Sequence, residues 1–298
     1  MADSTVPPRP RISAPLRGVL WMVASCACFA LMATMVRRAS FDVHPVEIVF
    51  FRYLFGLLFL APWLLRAGLA PLRTRRLGMH LFRALAGMGV VLTWFTAVSL
   101  MPLAEATALA FTAPLFATLG AALFLGESVR LRRWSAIAIG FAGAMIILRP
   151  GLQAISWPAL LALASSAFLG TAALVIKSLS RTEESNTIVL YLCLLTTPLT
   201  AIGAFFVWTT PSLESLAWMA GIGVVATIGQ LAYTRAFAAT ETSIVMPLTF
   251  FKLIFAALLG YFFFAEVADT WTWIGAAVIF GSAVYTARRE AQLATNTP

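Results

Sequence analysis

The sequence contains few charged residues and almost no histidine. Charged side chains make up 11% of the 298 residues, 12 of them are acidic, and there are two histidines. Catalytic and metal sites need clustered acidic, histidine or cysteine side chains. The chain has no such cluster, no phosphate-binding glycine loop and no Ser-His-Asp set. We therefore expect neither an enzyme nor an ATP-driven pump, and no catalytic residue, metal ion or cofactor.

Cysteine is also scarce, and its three copies stand apart. Cys26, Cys28 and Cys193 all lie inside apolar segments. Because successive helical residues are rotated by about 100°, Cys26 and Cys28 would point about 200° apart on one helix. This spacing argues against a disulfide or a shared metal site.

Hydrophobic residues are in excess. They make up 61% of the chain, far above their share in soluble domains. A membrane-spanning helix needs about 20 mainly apolar residues, whereas barrel strands alternate over about 10. The runs here are continuous, so the sequence predicts an all-α polytopic membrane protein. The ten predicted transmembrane helices are 18–36, 46–65, 77–98, 103–125, 134–148, 157–176, 187–208, 216–236, 243–264 and 271–287.

Basic residues lie mostly in the predicted loops. The formal net charge is +9, but arginine and lysine form short clusters between apolar runs rather than one basic face. The lipid bilayer explains this pattern better than a nucleic-acid partner, which we do not expect. The tails and loops on one predicted side hold fifteen basic residues, and those on the other hold three. Because basic residues concentrate in cytoplasmic loops, both termini are predicted to be cytoplasmic.

Two long stretches of the chain resemble each other. Residues 102–127 and 240–266 each combine an acidic residue, an internal proline, an apolar run and a closing glutamate. A displacement of 139 residues places Glu127 on Glu266. We expect these two glutamates to mark helix ends at the membrane interface.

The displacement is nearly constant along the chain, which predicts two related five-helix halves. A shift of 140 residues places Arg37 on Lys177. Because five is odd, the second half enters the membrane in the opposite orientation, and such inverted-topology repeats are typical of secondary transporters. The predicted units are a cytoplasmic tail, two repeats and a second cytoplasmic tail, at 1–17, 18–148, 157–287 and 288–298. We expect the first span to be a retained helix rather than a signal peptide.

A family resemblance is carried by two runs, PLAEATALAFTAPLFATLGAALFLGE and RRWSAIAIGFAGAMIILRPG. They are similar to the EamA-type domain of the drug/metabolite transporter superfamily, and the second half resembles a diverged second copy. The runs FFRYLFGLLFLAPWLLRAG and HLFRALAG are similar to a bacterial branch that includes riboflavin and S-adenosylmethionine transporters. The resemblance implies alternating access in a ten-helix bundle. Helices one, three, four, six, eight and nine would surround a central cavity, with five and ten peripheral.

The resemblance also implies a secondary transporter of a small organic metabolite in the bacterial inner membrane. Uptake of riboflavin or S-adenosylmethionine is the first expectation, and export of amino acids or amphipathic drugs is the alternative. Rivals from other classes are an intramembrane enzyme, which needs clustered catalytic groups, and a lipid-facing scaffold. Polar side chains that converge on one cavity would argue against the scaffold. The coupling ion stays open, with facilitated diffusion included, and so does the choice between a monomer and a homodimer.

Basic residues inside the predicted spans are the sharpest candidates for a substrate site, because a charge in the membrane is costly and usually faces the bundle interior. Lys252 either lines the cavity or extends to the cytoplasmic interface. Arg83, one turn after His80, either anchors helix three or recognises an anionic or carbonyl group. Arg52 either forms a structural pair with Glu47 or binds a ligand, and Glu47 can pair instead with Arg37 or Arg38.

Uncharged polar and aromatic residues on the implied cavity helices are further candidates. Gln230 and Tyr233 are three residues apart and share one face of helix eight. A buried amide must find a partner, and Trp94 and Tyr233 can stack on a planar ring. The hydroxyl candidates can bond a substrate or their own helices. The predicted substrate-binding residues are Lys252, Gln230, Tyr233, Arg83, Trp94, Thr112, Ser165 and Thr249.

Overall fold

The computed structural model describes residues 14–68, 70–110, 112–113, 115–116, 131–148, 156–239, 248–249 and 251–295. Within these ranges the regular secondary structure is helical and contains no strand. A short 3₁₀ turn covers Ala70–Leu72. The helices are α1 (Ala14–Ala39), α2 (Pro45–Ala67), α3 (Leu77–Leu100), α4 (Leu103–Ala110), α5 (Leu131–Leu148), α6 (Trp157–Leu179), α7 (Ser185–Phe205), α8 (Leu213–Ala239), α9 (Phe251–Phe264) and α10 (Thr270–Thr295).

The predicted all-α class and its ten helices are confirmed in the described part of the chain. The helices α1, α2, α3, α6, α7 and α8 are long and apolar enough to cross a membrane. Shorter apolar stretches lie in α5 and α9, at Ala138–Ile147 and Phe251–Phe264. Much of the fourth predicted span and the first residues of the ninth fall outside the described residues. The chain is a multi-pass membrane protein.

Local sequence signals set the starts of two spans. The ring of His44 accepts a hydrogen bond from the N–H of Val46 at 3.3 Å, and a proline opens α2. Ser156 repeats the device for α6, since its hydroxyl accepts from the N–H of Ala159 at 3.4 Å and a proline lies in the first turn. Proline suits this position because the first helical N–H groups have no intrahelical acceptor.

The two halves pack with the same pattern. When α1–α5 are matched with α6–α10, the contact of α1 with α8 corresponds to that of α6 with α3. Likewise, α1 with α9 corresponds to α6 with α4, and α2 with α8 to α7 with α3. The pairs α2 and α7, α4 and α9, and α5 and α10 join each helix to its own counterpart. This exchange pattern, with an odd number of helices per half, makes the chain two inverted-topology five-helix repeats.

The helices α5 and α10 form a closely packed pair. A Cβ atom at Gly143 would lie 2.9 Å from the carbonyl oxygen of Gly275, and one at Gly275 would lie 2.6 Å from that of Gly143. Glycine at both positions lets the two backbones approach. A Cβ at Gly281 would meet nothing within 4 Å, so that glycine plays no part in the contact.

At one end of the bundle, which we call the Arg37 end, charged side chains join three helices. Arg37 at the end of α1 forms an ion pair with Glu266, just after α9, and donates to the carbonyl oxygen of Met101 at 3.0 Å. The same glutamate accepts the N–H of Leu103, the first residue of α4, at 3.1 Å. A carboxylate is favourable there because the first helical N–H groups need acceptors.

The opposite end, which we call the Arg76 end, is also tied by basic side chains. Lys177, the counterpart of Arg37 in the repeat, donates to the carbonyl oxygen of Phe237 at 3.0 Å. Arg76 donates to the carbonyl oxygen of Ser178 at 2.9 Å and to the hydroxyl of Thr182 at 3.1 Å. At both ends, therefore, charged groups hold neighbouring helices together.

Candidate substrate-binding site

Lys252 points into the bundle and lies against aromatic rings. Its ammonium is 4.3 Å from the ring centroid of Trp94 on α3 and 6.0 Å from that of Phe29 on α1. These distances are in the range of cation–π attraction. Among the described residues no carboxylate lies within 4 Å of the ammonium. The geometry favours the interior position over an ammonium that extends to the interface.

The first turn of α9 is fixed by contacts with α1. The N–H of Lys252 donates to the carbonyl oxygen of Thr249 at 3.0 Å. The thiol of Cys26 lies 3.6 Å from the carbonyl oxygen of Leu248 and 3.9 Å from that of Thr249. A weak sulfur donor of α1 thus lies beside the backbone carbonyls that precede Lys252 by three and four residues.

An aromatic wall continues from Lys252 to α8. The rings of Phe29 and Tyr233 meet edge to face, with centroids 6.1 Å apart. Tyr233 in turn packs against Phe237, at a centroid distance of 4.8 Å. Phe29 therefore connects the predicted residues Lys252 and Tyr233, and rings from three helices line one region of the interior.

Arg83 and Gln230 meet across α3 and α8. The Nη2 group of Arg83 donates a long hydrogen bond, 3.4 Å, to the Oε1 atom of Gln230. Arg83 is 4% exposed, and its buried Nε–H has no hydrogen-bond acceptor among the residues that the structure describes. Tyr233 lies one turn after Gln230 on the same face of α8. Three predicted site residues thus form one polar cluster beside the aromatic wall.

The ion pair predicted between Glu47 and Arg52 is wrong. The carboxylate of Glu47 accepts two hydrogen bonds from Thr209, from the N–H at 2.8 Å and from the hydroxyl at 2.9 Å. Arg52 follows Glu47 by five residues, which is about 140° around a helix, so the two side chains face different directions. Arg52 instead lies over the ring of Tyr53, at 4.2 Å from its centroid.

The predicted hydroxyl residues bond to backbone or lie at a helix start. Ser165 on α6 donates to the carbonyl oxygen of Val90 on α3 at 3.1 Å. Thr112 donates to the carbonyl oxygen of Leu109 at 2.7 Å, within its own segment. Thr249 is half-buried just before α9. Substrate contacts of these three residues stay predictions.

Sequence reasoning missed Phe29 and the interior position of Arg52. The helix α1 is apolar around most of its circumference, so no periodicity separates Phe29 from its lipid-facing neighbours. In the sequence, Phe29 was indicated as a site residue by the implied position of the first helix at the cavity and by nothing else. For Arg52, the five-residue separation from Glu47 argued against a pair on one helix.

Both halves of the sequence match the EamA-like transporter family, over residues 16–149 and again over residues 156–288. The chain belongs to this family. The family model matches the chain twice, in agreement with the two halves seen in the helix packing. An EamA-like chain is a membrane transporter of the drug/metabolite superfamily rather than an enzyme.

Relatives of this EamA-like chain are named as transporters of different substrates. It is 37% identical to a riboflavin transporter of Rhizobium johnstonii, over 92% of this chain and 91% of the relative. It is 31% identical to a pseudopaline exporter of Pseudomonas aeruginosa, over 92% and 96%. It is 25% identical to an S-adenosylmethionine uptake transporter of Rickettsia bellii, over 90% and 92%.

Proposed function

We propose that this EamA-like secondary transporter carries out uptake of riboflavin or a related flavin across the bacterial inner membrane by alternating access. The observation that carries the proposal is that Lys252 joins the rings of Trp94 and Phe29, that Phe29 packs against Tyr233, and that the polar pair Arg83 and Gln230 lies on the same two helices as Trp94 and Tyr233. The 37% identity to a riboflavin transporter supports the same substrate.

A flavin matches the chemistry of these side chains. Its ring system is flat and broad, and aromatic side chains bind such a ring by stacking or edge-to-face contact. One edge of the flavin carries carbonyl oxygens and ring nitrogens, which an arginine and an amide can hydrogen-bond. The arrangement in which an aromatic wall adjoins Arg83 and Gln230 therefore fits both the face and the edge of the ring.

Lys252 has a place in this mechanism. Its ammonium covers one face of Trp94. When the ammonium moves off the indole, that face becomes free for a planar ring, and the same ammonium can donate to a substrate carbonyl. Substrate binding and movement of the first turn of α9 would then be coupled, since Lys252 is the second residue of that helix.

The two ends of the bundle supply the alternating gates of the proposal. Because basic residues concentrate in cytoplasmic loops, the proposal takes the Arg76 end and both termini as cytoplasmic, and the Arg37 end as facing outward. In the structure, the contacts of Arg37 and Glu266 join α1, α4 and α9 at that end. Opening toward the outside would break these contacts.

The charge of the interior weighs against S-adenosylmethionine. That substrate carries a sulfonium, an ammonium and a single carboxylate, so it is a net cation, whereas the described interior presents Arg52, Arg83 and Lys252 with no described carboxylate within 4 Å. Like charges in a low-dielectric region repel strongly. A flavin meets no such repulsion.

Labelled riboflavin uptake tests the proposal. The chain is expressed in a riboflavin-auxotrophic strain that lacks its own transporter, beside an empty vector and the Lys252→Met variant. The expected result is uptake and growth on low riboflavin with the wild type, and strongly reduced uptake with Lys252→Met. Substitution of the exposed Arg66 by Met, at the end of α2, serves as the matched control and should retain uptake.

Uptake no higher than the vector's, with the protein confirmed in the membrane, would remove riboflavin as the substrate. Efflux from preloaded cells separates import from the export alternative. A chain that lowers the internal concentration of riboflavin against the vector would reverse the proposed direction.

A further inference from the structure

Two buried arginines, Arg52 on α2 and Arg83 on α3, lie in the interior without an acidic partner. Each residue is 4% exposed, and each has a buried Nε–H for which the described part of the chain offers no acceptor. Within the described residues neither guanidinium has a carboxylate within 4 Å. An arginine cannot relieve this situation by losing a proton, because its guanidinium stays charged in proteins.

Tyr53 connects the two arginines, because Arg52 lies on its ring and its hydroxyl bonds to α3 near Arg83. Arg52 covers the ring of Tyr53, and the Tyr53 hydroxyl donates to the carbonyl oxygen of Gly87 at 3.3 Å. A Cβ atom at Gly87 would lie 2.8 Å from Nη1 of Arg83 and 3.8 Å from the Tyr53 hydroxyl oxygen. Glycine at position 87 therefore makes room for the guanidinium beside Tyr53.

The electrostatic cost of this arrangement calls for an anion. Two positive charges in a low-dielectric region repel each other, and each has lost most of its hydration. The two guanidinium groups are near enough to repel each other. Planar guanidinium groups bind phosphate and carboxylate oxygens with paired N–H donors, so an oxyanion is the ligand that compensates this charge.

We propose that Arg52 and Arg83 form an oxyanion site, and that the preferred substrate is a planar aromatic compound carrying an anionic group such as a phosphate monoester. This inference rests on the proposed flavin transport, because the planar part of the substrate is assigned to the aromatic wall. Arg83 is connected to that wall through Gln230, which shares α8 with Tyr233. The ring of the substrate lies against Phe29 and Tyr233 with its edge at Gln230. In a phosphorylated flavin Arg83 binds the oxyanion together with Arg52, whereas in riboflavin, which has no oxyanion, Arg83 bonds to the ring edge.

Binding to the purified full-length transporter in phosphate-free detergent buffer tests the site. Flavin fluorescence gives the dissociation constants of flavin mononucleotide, which has a phosphate monoester, and of riboflavin, which lacks it. We expect the phosphorylated flavin to bind about tenfold more tightly or better, the range of a charge-assisted hydrogen bond. Inorganic phosphate should compete with flavin mononucleotide more strongly than with riboflavin.

Variants of Arg52 separate an oxyanion site from a structural arginine. In Arg52→Gln the preference for flavin mononucleotide should fall at least fivefold, and Arg52→Lys, which keeps the charge, should retain part of it. The melting temperature of ligand-free Arg52→Gln should be equal to or above that of the wild type, because an unpaired buried charge is removed. Arg66→Gln, on the exposed end of the same helix, is the control and should keep the wild-type preference.

Equal affinities of the two flavins for the wild type would overturn the oxyanion site and leave flavin transport intact. An unchanged preference in Arg52→Gln, with a lowered melting temperature, would make Arg52 a structural residue and also overturn it. If neither flavin binds but inorganic phosphate stabilises the wild type and not Arg52→Gln, the arginine site stands and the flavin proposal fails. The wild-type affinity ratio needs no variant, so the test holds even where Arg52→Gln does not fold.

Discussion

Charged side chains have different partners at the Arg37 end and in the middle of the bundle. At the Arg37 end, Arg37 meets Glu266, and Glu47 accepts two hydrogen bonds from Thr209. In the middle, Lys252 lies on the indole of Trp94, and Arg83 meets the neutral amide of Gln230. The ends use charge to join helices, whereas the middle holds positive charge that no described acidic group balances.

This difference separates stability from function. A paired charge at a helix end contributes to folding because both groups keep hydrogen-bond partners after burial. An unpaired charge in the interior opposes folding, and its presence is explained by a ligand that compensates it. Substitutions at the ends should therefore lower stability, and substitutions in the middle should lower transport.

The largest effect is expected for Lys252→Met. Methionine keeps much of the side-chain volume but removes the ammonium, so any charge-assisted contact with substrate is lost. We expect the uptake efficiency kcat/KM for the substrate to fall by about tenfold to a hundredfold, the range for such a bond. The melting temperature should not fall. Wild-type transport in this variant, or a clear loss of stability, would show that charge in the middle of the bundle does not serve transport rather than stability.

The next effect is expected for Glu266→Gln, which neutralises the partner of Arg37. The amide can still accept from the N–H of Leu103, but the attraction to Arg37 is lost. We expect the free energy of unfolding to fall by about 1–2 kcal/mol. Unfolding of purified protein in mixed micelles measures it, and the double variant with Arg37→Gln should show a coupling of about 1 kcal/mol. Additive effects of the two substitutions would show that the pair contributes nothing.

A smaller effect is expected for Trp94→Leu. Leucine fills part of the space but offers no ring for the Lys252 ammonium or for a planar substrate. We expect the KM for uptake to rise by about threefold to tenfold, the range of a partly buried cation–π or stacking contact. Trp94→Phe, which keeps an aromatic face, should recover most of the loss. An equal loss in the two variants would show that the volume of the indole matters rather than its aromatic ring.

The sequence predicted much of the fold because membrane physics leaves few choices. Continuous apolar runs must be helices when every backbone group needs an internal partner, and the 140-residue shift that relates Arg37 to Lys177 marked the two halves. The packing of α1 on α8 and of α6 on α3 follows the same exchange. Most predicted bounds differ from the described helices by a few residues, since apolar runs give no sharp signal for the first and last turns. The end of the tenth was wrong, because α10 continues to Thr295 through most of the predicted C-terminal tail.

The candidate site was predicted only in part. Lys252, Arg83 and Gln230 stood out because polar groups are costly in hydrocarbon, and that cost is visible in sequence. The contribution of Phe29 was not visible, since an inward-facing phenylalanine in an apolar helix looks like a lipid-facing one. The partner of Glu47 was not visible either, because Thr209 lies more than 160 residues away and no local spacing relates the two.

The smallest effect is expected for Glu47→Gln. The carboxylate accepts the N–H and the hydroxyl of Thr209, and glutamine has one acceptor oxygen for these two donors. We expect the free energy of unfolding to fall by about 0.5–1.5 kcal/mol with uptake unchanged. A lower melting temperature would report this loss of stability. Glu184→Gln is the matched control, because Glu184 is exposed and makes no side-chain cap bond at the start of α7. A loss of uptake without a loss of stability in Glu47→Gln would place a functional carboxylate at the Arg37 end, and charge there would no longer serve packing alone.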